Sequence, residues 1–170
     1  MKIYAIIDTN VIVSALLARH QDSATVKILD YLYDRTLVPV YNDEILSEYE
    51  TVLKRPKFHF PEAVIRTTLE AIRDGGMNSD RISCHEQLPD PKDIVFYEVA
   101  LSVTDSFLVT GNTKHFPKKP FIVTPAEMLQ IIHEMTAAKS GLLSEPAARY
   151  GDDHTLLPSE KQAGYTRVKK

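Results

Sequence analysis

The stretch Ile3-Tyr4-Ala5-Ile6-Ile7-Asp8-Thr9-Asn10-Val11-Ile12 sets the frame for the rest of the chain. A near-continuous apolar run is what a parallel strand buried on both faces requires. Here the run covers Met1 to Ile7 and halts on an acid, Asp8. A helical spacing then begins in Val11, Ile12, Ala15 and Leu16. Asp8 therefore stands where a strand hands over to a helix. In an open parallel sheet, ligands bind outside the carboxyl ends of the strands. Asp8 is the first candidate functional residue on that ground alone.

Working outward, the same alternation repeats. Val26, Leu29, Tyr31, Leu32 and Tyr33 give a second helix, and Leu37 to Tyr41 a second strand. Asn42 is placed as an N-cap. Behind it Ile45, Leu46, Tyr49, Val52 and Leu53 form one helical stripe that Lys54-Arg55-Pro56 ends. Pro61 opens a helix through Val64, Ile65, Leu69 and Ile72, closed by Gly75-Gly76. A strand is expected over Arg81 to Cys84. Asp90-Pro91 starts a helix carrying Val95, Phe96, Val99, Ala100 and Val103. Ser106 to Val109 is a strand with a Thr110-Gly111-Asn112 turn, and Phe121 to Val123 is the last strand. Thr124-Pro125-Ala126-Glu127 is a capping box opening a helix to about His133. Strands alternating with helices predict an α/β fold with a parallel sheet covered on both faces and right-handed crossovers.

The bulk properties fit one domain. The chain has 170 residues, 44% hydrophobic and 25% charged, enough to bury a core without disulfides. Its single cysteine, Cys84, excludes an intrachain disulfide and reads as a small buried hydrophobe. A lone cysteine, with no secretory or membrane-spanning apolar run, predicts a cytoplasmic protein. The net charge of -3 means that nucleic acid would be held by a local patch or through metal ions. From Thr136 onward the periodicity fades and glycine and proline punctuate the chain. The expected organisation is a domain over residues 1–135 and a loosely ordered, mildly basic extension over 136–170.

Three further polar residues sort to the same rim as Asp8. Asn112 follows the strand Ser106 to Val109. Glu48 lies on the helix after the second strand, at the border of its apolar stripe. Asp93 sits at the start of the helix that Asp90 caps, where its local role is to complement the helix dipole. Asp105 precedes its strand and falls at the opposite end. Carboxylates brought together at one rim repel unless a cation lies between them. Oxygen donors of this kind suit a hard divalent cation such as Mg²⁺. The six histidines show no zinc spacing, and no phosphate-binding glycine loop or nucleophile elbow is present.

Taken together these pieces resemble the PIN-domain family. Ile6-Ile7-Asp8-Thr9-Asn10-Val11 resembles its opening signature. Glu48 in Ile45-Leu46-Ser47-Glu48-Tyr49 resembles its second acidic position, and Asp93 in Asp90-Pro91-Lys92-Asp93 its third. Leu108-Val109-Thr110-Gly111-Asn112-Thr113-Lys114-His115-Phe116 resembles its closing strand and turn, where aspartate or asparagine takes the fourth position. The resemblance covers about residues 1–135. It implies a three-layer α/β/α sandwich around a five-stranded parallel sheet of order 3-2-1-4-5, and cleavage of single-stranded RNA with Mg²⁺ or Mn²⁺. Many small members resemble toxins of toxin–antitoxin pairs and form homodimers, which implies an antitoxin partner.

On this reading Asp8 and Asp93 hold the metal, Glu48 completes the acidic cluster or orients the attacking water, and Asn112 supplies a further oxygen. Asparagine in place of aspartate at 112 favours one tightly bound ion over two. Thr9, Asn10, Thr110 and Asp90 stand behind these residues and orient them. Lys114, His115, Lys118 and Lys119, with Arg55 and Lys57, are the candidate RNA contacts. Two rival functions are a metal-dependent phosphatase on a similar fold and a non-catalytic RNA- or protein-binding module. The phosphatase pattern wants a second aspartate where this chain has Asn10.

Overall fold

The computed structural model describes residues 2–141. Five strands, β1 (Ile3–Ile7), β2 (Leu37–Tyr41), β3 (Met77–Asn78), β4 (Ser106–Val109) and β5 (Ile122–Val123), form one sheet. Its order is β3-β2-β1-β4-β5 and every pairing is parallel. The α-helices among the described residues are α1 (Thr9–Leu17), α2 (Ala24–Tyr33), α3 (Asp43–Leu53), α4 (Glu62–Gly75), α5 (Ile94–Ser102) and α6 (Pro125–Gly141). Successive side chains of a strand face opposite sides of the sheet. All five residues of β2 are buried, so helices must cover both faces there. The expected α/β/α architecture and strand order are those observed.

Burial explains the central strands. Ala5, Ile6 and Ile7 of β1 are 0–1% exposed, as are Leu108 and Val109 of β4. The β1–β4 register pairs Ile7 with Val109. That pairing sets Asp8 and Thr110, one residue further along each strand, side by side at the carboxyl rim. Asp8 is also the N-cap of α1, accepting from the Asn10 amide. Tyr49 on α3 fixes that helix against the same strand end, its phenol donating to the Ile7 carbonyl.

Two expectations are corrected. Arg81 to Cys84 is not a strand. The third strand lies earlier, at Met77–Asn78, where Ser79 still donates to the Tyr41 carbonyl before the chain leaves the sheet. What holds 81–84 in place is a different interaction. Glu98, buried on α5, accepts from the Cys84 amide at 2.8 Å and pairs with Arg81 at 2.6 Å. Those hydrogen bonds hold its carboxyl below the usual glutamate range, the Cys84 amide contributing most. An ion pair, not a ladder, ties down the segment, and Cys84 is half-buried against the core.

The last helix also continues past His133 to Gly141, so residues 136–141, expected to be loosely ordered, are helical. The apolar stripe fades because Thr136 to Gly141 are exposed all round. Ala137 and Ala138 extend the helix by intrinsic propensity, without a core to face. The rest of the expected extension, from 142 onward, lies outside the described residues.

Candidate functional site

At the carboxyl rim a cleft of about 440 Å³ opens between α1, α3 and the start of α5. Asp8, Glu48 and Asp93 all line it, with Thr9, Asn10, Asp90, Arg55, Lys92 and His115. The three acids come from three separate elements, and parallel topology is what brings them to one end of the sheet.

Asp8 is the most constrained. Its Oδ2 accepts from the Thr110 hydroxyl at 2.7 Å and from the Asn10 side-chain amide at 2.9 Å. Its Oδ1 has only a long 3.4 Å contact with the Asn10 backbone amide. Burial raises the Asp8 carboxyl above its ordinary value; the Thr110 hydrogen bond opposes this, and the Asp93 charge adds to it. Asp93 is raised as well, by burial first and by the Asp90 charge, while its hydrogen bond to His115 opposes the shift. Asp90 accepts from the Lys92 amide and begins the short turn Pro91–Asp93 that precedes α5.

His115 and Asn112 take places that the sequence did not reveal. The ring Nδ1 stands 2.9 Å from Asp93 Oδ2, and Nε2 stands 2.6 Å from the Asn112 side-chain nitrogen. Both ring nitrogens are thus engaged, Nε2 by the Asn112 side chain and Nδ1 by the Asp93 carboxylate. Asn112 reaches the acids through His115 and stands outside the lining of the cleft itself. Its backbone amide donates to Thr110 Oγ1, which links it to Asp8 as well.

The basic residues divide into two groups. Arg55 lines the carboxylate cleft, and Lys57 is two residues beyond it on the same loop. Lys114, Lys118 and Lys119 line a separate neighbouring depression, with Lys119 3.7 Å from Glu86. Sequence reasoning missed four residues that line the cleft, Val13, Ser14, Phe58 and Lys92, of which the last two bear on binding. Lys92 lies inside the Asp90-Pro91-Lys92-Asp93 run, where capping drew attention to the acids alone. Phe58 lies inside Lys57-Phe58-His59-Phe60, a basic and aromatic interleaving that was the available signal.

The donor set bears on a cation in two ways. Among the described residues, no three His, Cys, Asp or Glu side chains lie close enough together to hold an ion directly. Yet two acids of raised pKa face one cleft, Asp8 keeps Oδ1 nearly free, and the buried Thr9 hydroxyl has no partner among the described residues. A hard ion that uses one or two carboxylates and retains its own waters fits those observations.

The Thr110 hydrogen bond opposes the upward shift that burial imposes on Asp8, so Thr110→Val should push the Asp8 pKa further up. The acid limb of the pH–rate profile would move to higher pH, and activity at neutral pH would fall about 10-fold or more, as for other residues that orient a ligand. Thr110→Ser should keep the wild-type limb. A pH–rate profile of the three proteins reads this directly.

Neither a curated protein nor a solved structure matches the chain. The family model for the PIN domain matches residues 4–114, from β1 through the turn that carries Asn112. PIN domains are generally nucleases, and those nucleases generally use divalent metal ions. This chain, by a match that covers most of its length and every residue of the cleft except His115, belongs to the PIN domain family.

Proposed function

We propose that the chain is a divalent-metal-dependent endoribonuclease that hydrolyses phosphodiester bonds in single-stranded RNA. The observation that carries the reading is the convergence of Asp8, Glu48 and Asp93 on one open cleft that also holds Arg55 and Lys92. Acid in the floor and cations in the wall suit a phosphodiester, whose charge must be met while water attacks it. Asp8 and Asp93 would hold Mg²⁺ or Mn²⁺, with Glu48 acting through water. Bound there, the ion lowers the pKa of water and neutralises charge on the scissile phosphate.

The chain's own groups do the rest. Thr110 and Asn10 fix the Asp8 carboxylate, and His115, backed by Asn112, fixes that of Asp93. Arg55 and Lys92 bind the flanking phosphates, and Glu48 orients the attacking water. The phosphatase alternative wants an acid where Asn10 instead donates to Asp8. The family's small toxin members support a further reading, a homodimeric toxin held by an antitoxin, so assays need protein freed of any bound partner.

The test is cleavage of a mixed panel of single-stranded RNAs with Mn²⁺ or Mg²⁺. Cutting that stops on chelation and returns with metal is the expected result. Tight RNA binding without cutting, indifferent to chelator, would instead make the chain a binding module.

A further inference from the structure

The loop between α3 and α4 reads Lys54-Arg55-Pro56-Lys57-Phe58-His59-Phe60-Pro61. Pro56–Phe58 forms a single tight turn, and His59 then takes a left-handed backbone with φ 54. This reversal brings Phe58 and Phe60 ring to ring, with centroids 5.4 Å apart and planes 15° from parallel. The two rings have different surroundings. Phe60 packs against the hydrophobic core, whereas Phe58 leans on Phe60 and lines the cleft that holds the three acids. A half-buried aromatic braced from behind, on a basic loop beside a charged cleft, is poorly explained by packing alone.

We propose that this loop is a nucleotide subsite, in which Phe58 stacks an unpaired base while Arg55 holds the phosphate next to it. The inference rests on the nuclease reading and adds to it the means of choosing single strands. A base in a duplex is already stacked on both sides and has no face to give, whereas an unpaired base does. Lys57 now sits over the Phe58 ring, its ammonium 4.9 Å from the centroid. An exposed cation–π contact of this kind is worth about 2- to 5-fold in an equilibrium. Base–aromatic stacking is worth about 10-fold or more. The base therefore displaces Lys57, and the freed ammonium becomes a second phosphate contact. Bracing by Phe60 means that the ring needs little ordering when the base arrives.

The experiment measures binding of a short fluorescent mixed-sequence RNA to full-length protein in an Asp8→Asn background, which leaves the RNA intact. Phe58→Ala should weaken binding about 10-fold, and Phe58→Trp should stay within about 2-fold of the parent. Neither should alter binding of an abasic ribose-phosphate oligomer or of duplex RNA, while Arg55→Met should weaken binding of the single strand and the abasic oligomer alike. Unchanged single-strand binding by Phe58→Ala, equal losses on the abasic oligomer, or no binding by the parent would each overturn the subsite. Metal-dependent cleavage by the wild type is scored separately. Cleavage with Phe58-independent binding removes the subsite and keeps the nuclease; Phe58-dependent binding without cleavage does the reverse.

Discussion

Asp8→Asn should abolish metal-dependent cleavage and, in the same protein, raise the melting temperature at neutral pH. Cleavage is expected to fall by about 10³-fold or more, the scale seen when a central catalytic group is lost. The fold should tolerate the change. An amide carbonyl at the Oδ2 position can still accept from Thr110 and the Asn10 side chain, and only the long 3.4 Å capping contact of Oδ1 is given up. What disappears is a charge that is only 6% exposed and is repelled by Asp93.

The sign of the stability effect follows from the raised pKa. A carboxyl whose folded pKa lies above its unfolded value adds stability when protonated. That contribution is complete below the unfolded value and is lost as pH rises through the folded one. Wild type therefore lacks it at pH 7, and a permanently neutral asparagine keeps it. A gain on the order of 1 kcal/mol, roughly 3 °C, is expected in EDTA at pH 7, shrinking as pH falls through the folded pKa of Asp8. Added Mg²⁺ should raise the wild-type melting temperature and leave the variant unmoved. An inactive variant that melts lower than wild type at pH 7 would show that Asp8 is a structural residue.

Much of this site was legible because strand ends are legible. Ile6-Ile7-Asp8 needs only the rule that a buried strand stops on its first functional polar residue, and parallel alternation then places Asn112 and Asp93 at the same end. That Thr110 and Asn10 stand behind the acids was legible; which acid each one holds was not, and neither was the pairing of His115 with Asp93. The contact of Thr110 with Asp8 spans 102 residues, and that of His115 with Asp93 spans 22. The first depends on the register of β1 with β4 and the second on how the turn before α5 meets the turn after β4, and periodicity gives neither. His115 reads from sequence as a cation in a basic loop, yet both of its ring nitrogens are used within the protein. Glu98 was missed for a similar reason. A glutamate in the apolar run Val95 to Ala100 shows its worth only when Arg81 and the Cys84 amide fold back onto it.

The pair Gly75-Gly76 separates sequence logic from structural cause, and it supports the second large prediction. The sequence places both at the end of α4, where glycine commonly takes a left-handed conformation. Gly76 does end the helix, but its φ of -104 is one that any residue can adopt. Space is what demands glycine there. An added Cβ would collide with the Ile72 carbonyl and would stand 2.5 Å from the Pro39 carbonyl and 2.9 Å from the Tyr41 ring. Two of these neighbours are backbone, and Pro39 lies in fully buried β2, so neither can swing aside. Gly76→Ala should destabilise the protein by about 3 kcal/mol, the upper range for overpacking, and lower Tm by roughly 6–12 °C. Gly75→Ala is the control. Its Cβ would come no closer than 3.8 Å to its neighbours, inside a helix where alanine is preferred. It should be neutral or stabilising by up to about 1 kcal/mol. Thermal melts of the two single variants decide the matter, since helix capping as the cause would make both costly, whereas close approach at the β2–β3 edge makes only Gly76→Ala so. The consequence reaches the site. β2 leads directly into Asn42, the cap of α3, and α3 carries both Glu48 and the Tyr49 that grips Ile7. A shift of β2 away from the added methyl group would therefore be felt at the acids, and Gly76→Ala should lose cleavage at temperatures below its own melting transition.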